Sequence, residues 1–482
     1  MSNRKNTVTA DLDYQKELLQ RGTNYVKLLR AATTGKGITK LDSKGAKRAT
    51  KLFEDQGAGY ELLHFIPASG AASRMFKRVR QWLADPKTYR SEIKGFFKRA
   101  EELPFFDEWL EKANEKDLVT FESGLEAKVE WLRLLISPDG LNLAAKPKAV
   151  IPFHRYEKDS ATALEEHLIM AKEVSPSKPC RVHFTVAKDA WPVFEDALKK
   201  IFEKGELQAE DFSIEHSEQP DWTNTIALDN DGNVVCEGGE PIMRPGGHGS
   251  LIHNLNDIQA ELIFIRNIDN VCRREVLPEV SNARKMLAGT LIELRNDLSA
   301  LYEQMGKGLV DETSIEEVRT KWGVRIPKDY TKLSQFLKRP IRVCGMVKNE
   351  GEPGGGPFWC LDKFTGESLQ IIEQSQVNVK DMRQSMILKS STHFNPVDLV
   401  CCVVNFEGQH INLLDFVDSD QYFVSDKTHG EIEIKALEWP GLWNGSMANW
   451  ITLFVEIPSV AFSPVKEITD LLKANHSLST AL

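Results

Sequence analysis

The sequence has few of the features that would place it at sight. It has seven cysteines in 482 residues, at Cys180, Cys236, Cys272, Cys344, Cys360, Cys401 and Cys402. The number is odd and no two form a CxxC pair, which argues against a disulfide frame or a thiolate zinc site and for reduced thiols. Apolar runs are short. LVCCVV at 399–404 falls far below the roughly 20 residues that a spanning helix needs. The opening MSNRKNTVTADLDYQKELLQRG lacks the apolar centre of a secretion signal. The expectation is a cytoplasmic protein with no membrane partner. A block of positive charge is missing too: Lys plus Arg is 61, Asp plus Glu is 70, and the formal net charge is −9. Neither duplex nucleic acid nor anionic lipid is therefore expected as the main partner. A local basic pocket for a phosphorylated small molecule remains compatible with that balance. No internal repeat and no low-complexity linker is visible.

What is present is an ordinary globular composition, 41% apolar and 27% charged. At roughly 150 residues per domain the length amounts to about three domains' worth of chain. Residues 1–58 read as an arm of two amphipathic helical segments around a break at AATTGKGITK. ELLHFIP (61–67) reads as a buried strand running through the small-residue turn ASGAA into a helical pattern at SRMFKRVRQWLAD. A charged, aromatic, helical insertion follows, at about 78–140. Strands and helices then alternate through AVIPF, TALEEHLIMAKEV, RVHFTVA, AWPVFEDALKKIFEKG, FSIEH and ELIFI. That alternation predicts a mainly parallel sheet covered by helices. Residues 276–338 return to helical patterns, and from Ile341 onward Gly-rich loops and β-type runs take over. The boundaries are placed at 1–58, 59–338 and 339–482.

Three stretches carry residues with chemical potential. In a strand–turn–helix unit such as 61–84, the turn lies at the carboxyl edge of the sheet, where open α/β folds bind ligands. Small residues let the backbone approach, and free N–H groups at a helix start suit phosphate. Arg74 and Lys77 would add charge there; the plain alternative is a tight turn beside a solvated face. In KPKAVIPFH (146–154), Lys148 precedes an apolar strand and is placed to reach a cleft, or else is a solvated loop lysine. RPGGHGSLIHNLND (244–257) is a second Gly-rich loop, followed by ELIFIRNIDNV. There Asp269 sits just past a strand, where it would hold Mg²⁺ together with substrate phosphate or close an Asx turn.

Taken in order, these stretches resemble the nucleotidyltransferases of the UDP-sugar pyrophosphorylase superfamily. PASGAASRM is similar to their GGxGTRM phosphate loop and PKAVIPF to their PK segment. PGGHG is similar to their nucleoside-contacting loop and NIDN to their NxDN metal-site stretch. Further on, LQIIEQSQV, THFNPVDLV and GLWNGSMANWITLFVEI resemble their sugar-side segments. RPGGHGSLI, RPIRVCGMVKNEGEPGGGPFW and STHFNPVDLVC resemble, almost unbroken, a bacterial family described as a domain of unknown function.

The resemblance implies an α/β fold: a Rossmann-like, GT-A-like nucleotidyltransferase domain with a mixed sheet and a helical insertion, and a smaller α+β C-terminal region completing the sugar site. It implies a reaction between a nucleoside triphosphate, expected to be UTP, and a sugar-1-phosphate, giving a nucleotide-sugar and pyrophosphate. Gly70, Ala71, Ala72 and Ser73 would wrap the triphosphate with backbone N–H groups, and Arg74 would balance the leaving pyrophosphate. Lys148 would lie against the phosphates, and Asp269 would hold Mg²⁺. Gly246, Gly247, His248 and Gly249 would line the nucleoside. Glu373 and Asn395 would receive sugar hydroxyls. Two positions depart from the pattern. Ala72 replaces a glycine, which fits only without a positive φ. Met447 stands where a phosphate-binding lysine is expected, leaving Lys348 or Lys435 as substitutes. PGGG at 353–356 has no counterpart; it reads as a flexible loop or a second backbone anion site. The departures also admit a non-catalytic sugar-nucleotide binder or sensor on the same fold.

Overall fold

The computed structural model describes residues 11–351, 354–362, 364–430 and 432–477. Pro353, at the head of the PGGG stretch, lies outside them. The chain divides into two compact units, one of residues 1–65, 219–265 and 283–457, the other of residues 66–218, 266–282 and 458–482.

The first unit is built on a mixed sheet. Its strands lie in the order Thr33–Thr34, Gly37–Thr39, Ile451–Glu456, Ile341–Lys348, Asp398–Cys402, Leu262–Arg266 and Leu62–Pro67. Leu262–Arg266 runs parallel to Leu62–Pro67, and Ile341–Lys348 parallel to Ile451–Glu456. Asp398–Cys402 runs antiparallel to Ile341–Lys348, so the sheet, parallel at most of its pairings as expected, is mixed. The strands are mostly apolar: every residue of Leu262–Arg266 and Asp398–Cys402 is buried, with Arg266 and Asp398 as their charged exceptions, as expected for central strands covered on both faces. Helix Leu277–Gly306 packs closely on helix Ser43–Gln56 at Gly289, where an added Cβ would meet the Ala49 carbonyl oxygen at 1.7 Å. The N-terminal arm departs from expectation. Its helices are Leu12–Arg21 and Ser43–Gln56, but the break between them forms short strands. Leu28–Ala31 pairs with Gly356–Asp362, and Gly37–Thr39 with Ile451–Glu456.

In the second unit, Cys180–Val186 and Phe212–Glu218 are parallel strands joined by helix Trp191–Glu203. Helices Lys77–Ala84, Arg90–Phe97, Phe106–Glu115 and Leu125–Ile136 fill the stretch read as a helical insertion. They close around Trp82, Phe96, Phe97, Trp109 and Trp131, all buried. Each aromatic ring of this kind buries roughly 150–250 Å², which explains why so charged a stretch still packs. The Trp109 and Trp131 indole N–H groups donate to the carbonyls of Trp131 and Val119, so neither polar edge is wasted. Among the described residues no cysteine is in a disulfide, and six of the seven are buried. Among the described residues no helix is long and apolar enough to cross a membrane.

Candidate functional site

In the second unit the three separated stretches meet. The chain leaves the strand Leu62–Pro67 and turns at Ala68, whose N–H donates to Thr185 O at 2.9 Å. Ala71 then bridges Pro147 in antiparallel fashion. The Ala72 N–H donates to Lys146 O at 3.1 Å and the Lys148 N–H donates to Gly70 O at 3.2 Å. The small-residue loop is thus stitched to the PK segment by two backbone hydrogen bonds. This corrects one expectation: the Ala72 N–H is committed to a carbonyl and does not face a ligand. The Gly70 and Ala71 N–H groups have no hydrogen-bond partner among the described residues.

Ala72 itself is fully buried, and neither it nor Gly70 has a positive φ. That is why alanine is tolerated where a glycine was expected. At Gly70 an added Cβ would meet nothing within 4 Å. The fold therefore does not demand glycine here, and the open space in front of it is room for something to approach the backbone. Arg74 ends the short 3-10 turn Ala72–Arg74; it and Lys77 are exposed, and their side chains have no hydrogen bond or ion pair among the described residues. Arg80, one turn on, donates to Ser73 O at 2.7 Å and steadies the loop.

Lys148 is no solvated loop lysine. Its Nζ lies 3.0 Å from Asp269 Oδ2, with the two side chains 13% and 27% exposed. The turn that presents Asp269 is held from several sides. The Ile268 N–H donates to Pro67 O at 3.2 Å, the Asn270 N–H to Asn267 O at 3.0 Å, and the Val465 N–H to Asp269 O at 2.9 Å. The side chain that serves the local backbone is Asn270, whose Oδ1 accepts from the Ser463 N–H at 2.9 Å. The Asp269 carboxylate has Lys148 as its one side-chain partner among the described residues. Among those residues no group of three or more His, Cys, Asp or Glu is placed to hold a metal ion. A single carboxylate with one oxygen left open fits Mg²⁺ of the kind that takes its remaining ligands from phosphate and water.

In the first unit the Gly-rich loop is shaped by packing. An added Cβ would lie 2.4 Å from Trp439 at Gly246, 2.9 Å from Glu438 at Gly247 and 2.3 Å from Pro440 O at Gly249. Gly247 also has φ +82°. All three glycines are required by close approach to residues 438–440. The fourth residue, His248, stacks on Trp443 at 4.1 Å between centroids and accepts the Leu442 N–H on Nδ1 at 3.0 Å. That bond fixes the neutral tautomer with hydrogen on Nε2, and burial against the Trp443 segment pushes the pKa down to about 4. His248 Nε2 lies 3.9 Å from Glu373 Oε1.

The sugar-side candidates have structural duties of their own. Glu373 caps the turn Gln374–Gln376 in a reciprocal capping box. Asn395 is buried, and its Oδ1 accepts from the Val397 N–H at 3.1 Å. Val397 has φ +58°, so Asn395 supports a strained turn. Met447 is fully buried in the core with Leu442, Trp443 and Trp450, where no cation is presented. Lys348 and Lys435 are both exposed. Asn444 donates from Nδ2 to Ile371 O at 2.8 Å, tying the GLWNG stretch to the strand before Glu373. The importance of residues 461–465 in holding the Asp269 turn had no signal in the sequence beyond a short apolar pattern.

The geometry defines a mixed α/β protein that presents an open small-residue loop, a lysine and a carboxylate together past the ends of two apolar strands. The chain belongs to the family described as Domain of unknown function (DUF4301), whose family model matches residues 2–477. No curated protein matches it. Among solved structures, it is similar to the uridine diphosphate N-acetylglucosamine pyrophosphorylase of Trypanosoma brucei, with 11% identity and a TM-score of 0.49, over 97% of this chain and 74% of that one. A UDP-glucose phosphorylase of Trypanosoma brucei gives 11% and 0.45, over 95% and 73%. A UDP-glucose pyrophosphorylase mutant of Leishmania major in complex with UDP-glucose gives 11% and 0.41, over 95% and 73%. At such identities and scores neither an activity nor a substrate passes from these structures to this chain.

Proposed function

We propose that the protein is a nucleotidyltransferase that joins a nucleoside triphosphate, UTP first among them, to a sugar-1-phosphate. The observation that carries this reading lies in the second unit. A loop with open N–H groups, an adjacent free arginine and a Lys148–Asp269 pair 3.0 Å apart come together from three stretches remote in sequence. They are the stretches whose order resembles the UDP-sugar pyrophosphorylases.

In the proposed reaction a phosphate oxygen of the sugar-1-phosphate attacks the α-phosphorus. A P–O bond forms, the bond to the β-phosphate breaks, and pyrophosphate leaves with the electron pair. Such a displacement needs no protein nucleophile; positioning and charge neutralisation suffice. Gly70 and Ala71 offer N–H groups to the phosphates, and Arg74 balances the leaving group. Lys148 exchanges its contact with Asp269 for a phosphate oxygen. Asp269 would hold Mg²⁺, which when bound supplies a centre of positive charge for phosphate oxygens. In the first unit, the neutral His248 and its loop are assigned to the nucleoside, and Glu373 and Asn395 to sugar hydroxyls.

The buried Met447 favours a second reading, a sugar-nucleotide binder without turnover, since the expected cation is absent at that position. The two separate in one assay. Triphosphates and sugar-1-phosphates are mixed pairwise with the protein and Mg²⁺, and pyrophosphate is measured. Release with at least one pair supports the transferase. Saturable binding of a nucleotide-sugar with no release under any pair supports the binder.

A further inference from the structure

We propose that Ala461–Ser477 is a positioning strap: it fixes the Asp269 turn and the end of the small-residue loop, and it is fastened by the buried His154–His476 imidazole pair. The role assigned to those two elements rests on the reading above; the strap and its fastening do not.

The strap touches both elements through the backbone. Ser463 N–H donates to Asn270 Oδ1 at 2.9 Å, and Val465 N–H to Asp269 O at 2.9 Å. Ile468 N–H donates to Met75 O at 3.1 Å, the residue after Arg74. Between these bonds, Val465, Ile468 and Leu471 are fully buried in the core of the unit. Further along the strap lies His476, buried, followed by Ser477, whose hydroxyl donates to Glu102 Oε2. His476 Nδ1 lies 2.9 Å from His154 Nε2, and the two rings are stacked at 5.1 Å. His154 Nδ1 lies 2.7 Å from Glu166 Oε1, which also accepts from the Tyr156 hydroxyl at 2.7 Å.

Proton accounting gives the pair a preferred state. The Glu166 carboxylate holds the hydrogen of His154 on Nδ1, so His154 Nε2 is left to accept from His476 Nδ1. His476 Nε2 is then buried without a partner among the described residues. A second proton on His476 would put an unpaired N–H there. The charges around the ring pair are Arg273, whose Nη1 donates to His476 O at 3.2 Å, Lys473 and Asp470 on the strap, Glu166 and Tyr156 beyond His154, and Glu275 paired with Arg273. Burial, then His154, hold His476 down to about 3. The closed strap therefore needs neutral His476: the fastening is complete above an ordinary imidazole pKa of about 6.5 and is lost progressively as pH falls below it. Asp470, itself held below the usual carboxylate range, stays charged through that window.

Amide hydrogen exchange on the full chain tests this at pH 7.5 and 5.5, with rates corrected for the chemistry of exchange. Protection of Val465 and Ile468 should fall about tenfold between the two, because an open strap takes up one extra proton. His476→Asn keeps a donor for His154 but cannot titrate, so it should be protected at pH 7.5 and flat with pH. His476→Leu leaves His154 Nε2 without its partner and should lose about tenfold protection at both pH values. If the strap positions the site, the Ile268 and Asn270 amides lose protection in parallel with those of Val465 and Ile468. A pH-independent wild type, or a His476→Leu variant as protected as wild type, overturns the fastening. Opening at 465 and 468 that leaves 268 and 270 unmoved overturns the positioning. A chain that binds no triphosphate at all would overturn the nucleotide reading alone, since the exchange measurements contain no nucleotide.

Discussion

Replacing Asp269 by asparagine separates a metal-holding carboxylate from one that only neutralises Lys148. The structural cost follows from the pair's surroundings. Exposed ion pairs contribute about 0.2–1 kcal/mol, whereas stripping one partner from a fully buried pair costs about 3–5 kcal/mol. With side-chain exposures of 13% for Lys148 and 27% for Asp269, the pair lies between these limits. The asparagine oxygen can still accept from Lys148 Nζ, which places the loss at about 1 kcal/mol. The backbone bonds that hold the turn, to Pro67, Asn267 and Val465, do not involve the side chain and persist. Catalysis should respond on another scale. Losing a charge that holds a metal against the phosphates removes several kcal/mol of transition-state stabilisation. At 1.36 kcal/mol per tenfold, pyrophosphate release should fall about 10²- to 10³-fold. Initial rates at saturating Mg²⁺ and thermal unfolding of the two proteins would be measured side by side. A variant that loses stability as expected but keeps turnover within about threefold would refute the assignment and leave Asp269 as the counter-ion of Lys148.

Arg74→Ala should weaken triphosphate binding at least tenfold in a titration, since contacts between cation and phosphate are the strong ones, with an unchanged melting temperature because the side chain is exposed and unpaired. Gly70→Ala should leave stability within about 0.5 kcal/mol, because the new methyl meets nothing and no positive φ is involved; triphosphate affinity should nonetheless fall, and unchanged affinity would mean that no ligand approaches the loop there. Glu373→Ala should cost about 1 kcal/mol through loss of the capping box and should raise the sugar-1-phosphate concentration needed for half-maximal rate more than that of the triphosphate; equal effects on both would assign it to structure alone.

Local chemistry was legible in the sequence wherever it depended on neighbours along the chain. The strand–turn–helix at 61–84 was readable because an apolar run, small residues and an amphipathic pattern follow one another directly. Pairings between distant stretches were not. Nothing in PASGAAS shows that Ala72 gives its N–H to Lys146, and nothing in PKAVIPF shows that Lys148 meets Asp269 rather than water. The reversed direction of Asp398–Cys402 was hidden because a fully buried apolar strand reads the same either way. The strands in the break of the N-terminal arm were missed because their partners lie at 356–362 and 451–456. The glycines of PGGHG were read as room for a ligand; in the structure their lack of a side chain is used by Trp439, Glu438 and Pro440. Composition alone cannot separate those two uses.

The most direct test of the central claim is pyrophosphate release from UTP with Mg²⁺ and a panel of sugar-1-phosphates. The geometry of Gly70, Arg74, Lys148 and Asp269 predicts release that requires both substrates, needs Mg²⁺ and collapses in Asp269→Asn. No release with any sugar-1-phosphate, from UTP or any other nucleoside triphosphate, would contradict it.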